Sequence, residues 1–247
     1  MDSVKKIQIK NQKQKAKDLI AAGNFQKAFG ILTDLMVKDP KDVEVLIGLA
    51  DCLSVFGQPD EALLLLDQAL KIDTNYILAL LFKCNILGDV GKHQEAILIL
   101  EHRIQNGLHD CEAYGVLGEL YQQGPGDYNS AIDAYKKALS FQNIINSRIV
   151  KHNLANCYSD LNRFPEAIKI YDKLISADPQ DTVALLNKAV ALEEMGNSVE
   201  SLKLLKQAVD IDPDFPMAWD KLADLYDNIG AHAEAKKCRG KGNRGII

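Results

Sequence analysis

Along this chain apolar positions recur in threes and fours, and then the whole pattern starts again. Near the end, Trp219, Leu222, Ala223 and Tyr226 stand at i, i+3, i+4 and i+7, which is one face of a helix. A break follows each such face, usually at glycine: Gly23, Gly57, Gly91, Gly196 and Gly230, with Asn162 as a substitute. Glycine and asparagine tolerate the left-handed backbone that ends a helix. A second helix then begins, with Pro59 and Pro165 near its first turn, where a missing N–H costs little. It closes at Asp39-Pro40, Asp178-Pro179 and Asp212-Pro213. Proline cannot continue a helix and pushes the residue before it out of the helical region. Each unit is therefore predicted to be a helical hairpin.

The hairpins keep a beat. Small residues before an aliphatic run fall at Ala28, Ala62, Ala96, Ala131, Ala167, Ser201 and Ala235, spaced by 34, 34, 35, 36, 34 and 34. A second small position falls at Ala16, Ala50, Cys84, Gly118, Ala155, Ala189 and Ala223, spaced by 34, 34, 34, 37, 34 and 34. Both series slip between the fourth and fifth units. Small residues let two helices approach closely, and larger ones fill the gap to the next hairpin. One hairpin cannot bury its own apolar faces, so stacking must supply the core.

The pattern W-x2-L-A-x2-Y, then Ala, then Pro resembles the tetratricopeptide repeat (TPR). It stands here as Trp219-Leu222-Ala223-Tyr226-Ala235, as Leu117-Gly118-Tyr121-Ala131-Tyr135-Ala138, and as Leu154-Ala155-Tyr158-Ala167-Tyr171-Pro179. The resemblance implies an all-α fold, a right-handed superhelical α-solenoid of about seven hairpins. The units fall at about 9–42, 43–76, 77–110, 111–145, 148–181, 182–215 and 216–240, with a basic tail over 240–247. A kink is expected near 141–148, splitting the array four plus three. Several positions depart from the family pattern. Position seven is Lys15, Lys83 and Lys188 in three units instead of leucine. The third and fourth units lack the closing proline, and the fourth has a longer turn, QQGPGDYN. That turn is not a phosphate loop, because no strand precedes it and no Gly-Lys-Ser/Thr follows.

Composition narrows the function. The net charge is −5, so no global basic field recruits nucleic acid, although both ends carry basic runs. Five cysteines, Cys52, Cys84, Cys111, Cys157 and Cys238, form no CxxC pair and make an odd count, which argues against a disulfide framework and a zinc site. A reducing compartment fits, and a cytoplasmic location is expected. No apolar run reaches the length of a membrane span. His93, His102, His109, His152 and His232 are scattered over different units, and no serine or cysteine sits in a nucleophile elbow. No catalytic set, cofactor or metal is expected, and the remaining role is to bind protein.

In the family that the sequence resembles, the first helix of each hairpin lines a concave groove, its outward positions being two, five, six, nine, twelve and thirteen. The first unit then presents Lys10, Lys13, Gln14 and Lys17. The second and third present Ile47, Leu78, Leu81, Phe82 and Asn85. The helix ILALLFKCNIL of the third unit is apolar nearly all round, which fits deep burial as well as a hydrophobic groove or a self-association surface. The fifth and sixth units present His152, Asn153, Asn156 and Asn187. The acidic far end adds Glu193, Glu194, Asp220, Asp224 and Asp227 beside Lys221.

Asparagine is a poor helix former, so its clustering raises two explanations. Either exposed sites tolerate it, or the amides grip a partner's backbone with their donors and acceptor. The expected function is a non-catalytic adaptor that holds a partner segment in the groove. Two alternatives come from the family. One is a co-chaperone-like receptor for a C-terminal carboxylate, centred on Asn156, Asn187 and Lys221. The other is an accessory module of a glycosyltransferase-type complex, suggested by the likeness of NLANCY to an asparagine ladder.

Overall fold

The computed structural model describes residues 2–141 and 147–242. Among the described residues there are fourteen α-helices and no strand. They pair as hairpins in chain order. The first three pairs are α1 (Asp2–Ala21) with α2 (Phe25–Lys38), α3 (Val43–Val55) with α4 (Pro59–Ile72), and α5 (Ile77–Asp89) with α6 (His93–Gln105). The fourth and fifth are α7 (Cys111–Gln123) with α8 (Tyr128–Leu139), and α9 (Ser147–Asp160) with α10 (Phe164–Ala177). The last two are α11 (Thr182–Glu194) with α12 (Ser198–Ile211), and α13 (Pro216–Asn228) with α14 (His232–Gly242).

The turns within hairpins close as the sequence suggests. Asn162 takes φ 57, a left-handed value, where other units use glycine. Its N–H donates to Ser159 O at 2.8 Å, and the Arg163 N–H reaches back to Tyr158 O at 2.8 Å, which satisfies the last carbonyls of α9. The turns between hairpins rest on aspartate. Asp39, Asp178 and Asp212 leave their helices in extended conformation, and each carboxylate accepts the N–H two residues on, at 3.0 or 3.1 Å. Asp73 makes the same turn, accepting from Asn75 N at 2.9 Å, although Thr74 follows it instead of proline. The aspartate sets this corner, and proline only reinforces it.

The backbone divides into two compact units. Within the described residues, one comprises 2–109 with 123–125, and the other comprises 110–122 with 126–141 and 147–242. The expected kink near 141–148 falls largely on 142–146, outside the described residues. The fourth and fifth hairpins nevertheless share one apolar cluster: Ala131, Tyr135 and Ala138 of α8 with Val150, Leu154 and Ala155 of α9. The boundary between the two compact units falls after the third hairpin, with 123–125 grouped with the first unit. The tail expected over 240–247 is helical to Gly242, and 243–247 lie outside the described residues.

In the first unit, Ala16, Ala28, Leu32, Leu35 and Leu49 form one cluster, and Leu46, Ala50, Leu66, Ala69 and Ile86 form the next. In the second unit, the α11–α14 cluster centres on Leu205, Trp219, Leu222 and Leu225. Trp219 donates its indole N–H to Pro213 O at 2.8 Å, and Lys241 lies over its ring at 4.6 Å. The small positions of the beat are close-approach positions. A Cβ on Gly118 would lie 2.5 Å from the buried ring of Tyr135.

Candidate functional site

The first helices of the second unit are α7, α9, α11 and α13. Hydrogen bonds between side chains tie them edge to edge. Asn153 of α9 donates to Glu119 of α7 at 3.3 Å. Asn187 of α11 donates to Asn156 of α9 at 3.1 Å, and Asn228 of α13 donates to Glu193 of α11 at 3.1 Å. The oxygen of Asn156 also accepts from the hydroxyl of Tyr171, at 2.7 Å. Tyr171 is buried, and burial pushes its hydroxyl up to about 12, so it remains a donor. Burial also raises the Glu119 carboxyl, whose oxygen is desolvated with an amide as its partner.

Beside these rungs stands a charged cluster. Asp181 is 2% exposed and caps α11, accepting from Ala184 N at 3.0 Å. His152 Nε2 lies 2.8 Å from Asp181 Oδ2, and Arg148 Nε donates to the same oxygen at 3.1 Å. Burial disfavours the ionised carboxylate, but the Ala184 N–H, His152 and Arg148 outweigh it and hold Asp181 below the usual carboxylate range. The first unit repeats the device. Lys13 of α1 pairs with Asp42, the N-cap of α3, and with Glu44 at 3.3 Å. Lys13 and His152 occupy the same repeat position, and each partner lies 29 residues on.

Of the residues expected to bind a partner, the structure brings His152, Asn153, Asn156 and Asn187 onto one face and engages each of them within the protein. Lys221 is exposed on α13, where it follows the position of Asn153 and Asn187. In the first unit, Leu78 is 54% exposed and Asn85 is exposed, while Ile47 and Phe82 are half-buried against the same apolar cluster. Leu81 is only 6% exposed, so its expected outward place is a core place. The apolar girth of α5 has the same cause: Ala79, Leu80, Leu81, Cys84, Ile86 and Leu87 are all buried. The basic face expected on the first unit is largely matched by acid, since Glu44 takes Lys17 at 3.3 Å as well as Lys13.

Sequence reasoning missed Glu119, Tyr171, Arg148 and Asp181 as partners. The repeat register carried the signal, because Lys13–Asp42 and His152–Asp181 are the same pair of positions. It also missed why position seven departs from leucine. Lys83 reaches Asp67 at 2.7 Å, and Lys188 reaches Asp172 at 2.7 Å. Each lysine crosses to the second helix of the preceding hairpin, 16 residues back.

The four buried cysteines show no activation. Burial pushes Cys84 and Cys157 up to about 12 and Cys52 to about 11, so these remain neutral thiols packed as small apolar groups. Among the described residues, no group of three or more His, Cys, Asp or Glu is placed to hold a metal ion, and no helix is long and apolar enough to cross a membrane.

Stacked two-helix hairpins with close-packed small residues define a helical-repeat protein. The tetratricopeptide repeat profile matches residues 19–84, 120–192 and 160–225, and the chain belongs to the tetratricopeptide repeat family. This family mediates protein–protein interaction and consists generally of non-catalytic scaffolds. The chain is 24% identical over 226 residues to the TPR repeat-containing protein YpiA of Bacillus subtilis (strain 168). That match covers 90% of this chain and 52% of YpiA, so the chain spans about half the length of that relative. The fold superposes on a tetratricopeptide repeat protein from Parabacteroides merdae ATCC 43184 with a TM-score of 0.69 at 19% identity, covering 96% of this chain and 95% of the other. It also superposes on YrrB, described as a TPR protein with an unusual peptide-binding site, with a TM-score of 0.60 at 21% identity, covering 76% and 95%.

Proposed function

We propose that this chain is a non-catalytic adaptor that holds a segment of a protein partner against the face shared by its first helices, the concave groove of the family. One observation supports it most. In the second unit the first helices are braced to each other by the Asn153–Glu119, Asn156–Asn187 and Asn228–Glu193 bonds. A surface held in one register before binding loses less entropy when a partner docks. YrrB, which shares the fold, carries a peptide-binding site. A general segment-binding face is favoured over a carboxylate clamp, since one N–H of Asn187 is already given to Asn156 and the carboxylates Glu193, Glu194, Asp220 and Asp224 stand on the same first helices and would repel a second carboxylate.

The test compares two surface variants in quantitative pull-downs. One carries Ile149→Ser, Val183→Ser and Met217→Ser on the first helices. The other carries Leu64→Ser and Leu98→Ser on the second helices α4 and α6. All five side chains are exposed, so both variants should keep the wild-type circular dichroism and melting midpoint. Loss of the same partners in both variants, or in neither, would count against the face named here.

A further inference from the structure

On each first helix of the second unit, positions two, six, nine and thirteen follow one another about a turn apart on one stripe. On α9 these are Ile149, Asn153, Asn156 and Asp160, and on α11 they are Val183, Asn187, Val190 and Glu194. The middle of the stripe on α9 and α11 carries the Asn153–Glu119 and Asn156–Asn187 bonds described above. Its two ends are different in kind.

At the N-terminal end stands an apolar row of exposed side chains at strict intervals of 34: Ile149 (53% exposed), Val183 (46%) and Met217 (61%). At the other end stands acid. Helices α9 and α11 finish in Asp160 and in Glu193-Glu194, and neither has a basic residue in its last turn. A helix C-terminus carries partial negative charge, so carboxylates there oppose the macrodipole. The nearest cation in sequence, Arg163, is committed to Glu166 at 2.6 Å and to the ring of Tyr158. Among the described residues, no Lys, Arg or His lies within ion-pair distance of Asp160, Glu193 or Glu194. Burial also raises the Asp160 carboxyl above its ordinary range. Glu193 accepts one hydrogen bond from Asn228, but the folding of these helices calls for neither Asp160 nor Glu194.

We infer that this face takes a basic peptide segment with regularly spaced apolar side chains, and this rests on the face being the partner surface proposed above. Apolar residues of the segment lie on the Ile149–Val183–Met217 row, and its Lys or Arg side chains reach toward Asp160 and Glu193-Glu194. Charge selects the occupant, because an acidic segment meets carboxylates that no cation among the described residues neutralises and is repelled. Spacing sets its form. Packed helices lie about 8–10 Å apart. A polyproline II chain rises about 3.1 Å per residue, so every third side chain recurs at about 9 Å on one side.

The probe is a Leu-Lys-Pro repeat peptide, acetylated and amidated so that neither terminus is charged, titrated into the full chain by fluorescence anisotropy. A Leu-Glu-Pro repeat and a Ser-Lys-Pro repeat of equal length are the comparators. The Leu-Lys-Pro peptide is expected to bind and to weaken as salt rises, with both comparators weaker by about tenfold or more. Asp160→Asn with Glu194→Gln should flatten the salt dependence, and Val183→Ser with Met217→Ser should weaken binding at every salt concentration. Equal binding of the Leu-Lys-Pro and Leu-Glu-Pro peptides, or unchanged binding by both variants, overturns the inference. The pull-down separates this failure from that of the parent proposal. If the first-helix variant still loses its cellular partners, only the basic-segment chemistry falls.

Discussion

The second and third hairpins and the fifth and sixth have the same backbone plan and are glued sideways by different means. In α3–α6, Ile47 of α3 and Phe82 of α5 pack half-buried on one apolar cluster, with Tyr76 beside them. In α9–α12, polar side chains occupy the corresponding face: His152 on Asp181, and Asn187 and Tyr171 on Asn156. The register makes the contrast sharp. Position five and the residue 29 further on are Ile47 and Tyr76 in one hairpin, His152 and Asp181 in the other. Apolar glue is tolerant of small shifts, whereas hydrogen bonds demand their partners at defined distances. The array thus carries one stretch held mainly by burial and one held also by direction.

Core truncation should separate the two stretches most. Leu66 is fully buried in the apolar stretch, and Leu66→Ala is expected to cost about 2–5 kcal/mol. In a repeat array the loss should stay local, so hydrogen exchange should quicken in α3–α5 before α9–α12. Uniform quickening across the chain would break the comparison.

Asp181→Ala comes next, at about 2 kcal/mol, because it removes a helix cap together with the anchor of His152 and Arg148. Its carboxyl sits lower in the folded protein than its ordinary 3.8, so its contribution is present above that value and disappears as pH falls through the folded one. Urea unfolding from pH 7 downward should show wild type and Asp181→Asn converging below about pH 4. Parallel curves there would show that charge is not the source of the stability.

Tyr171→Phe should cost about 1 kcal/mol, by deleting the donor to Asn156 while keeping the ring. Glu119 works in the opposite direction. Burial raises its carboxyl, so the folded state loses stability as pH climbs through the carboxylate range. Glu119→Gln keeps an oxygen for Asn153 and should raise the neutral-pH melting midpoint slightly, with the gain vanishing in acid. The smallest effect is expected from Lys188→Leu, which restores the family's residue opposite Asp172. The pair is partly exposed, and the change should stay within about 0.5 kcal/mol.

Much of this was legible beforehand, for physical reasons that differ by residue. Asn162 could be read as a turn because few residues accept a positive φ. Gly118 could be read as a small position from the beat alone, but the buried Tyr135 ring explains why alanine would not serve there. Leu81 was misplaced because it falls at an outward position of the pattern, and neighbouring helices cover it all the same. Asn156→Ala would be a poor probe of binding, since it would also remove the acceptor of Tyr171 and Asn187.

By itself the sequence determined the hairpins, their beat, their turns and the alternation of small and large residues. These depend on contacts within a few residues and on a pattern repeated seven times. Only the tertiary structure decided which neighbours the asparagines of α9 and α11 meet. Their partners lie from 15 to 34 residues away, and they meet because of how one hairpin seats on the next. An amide is equally suited to a partner's backbone or to a neighbouring side chain, and here the stacking brings the neighbour within reach.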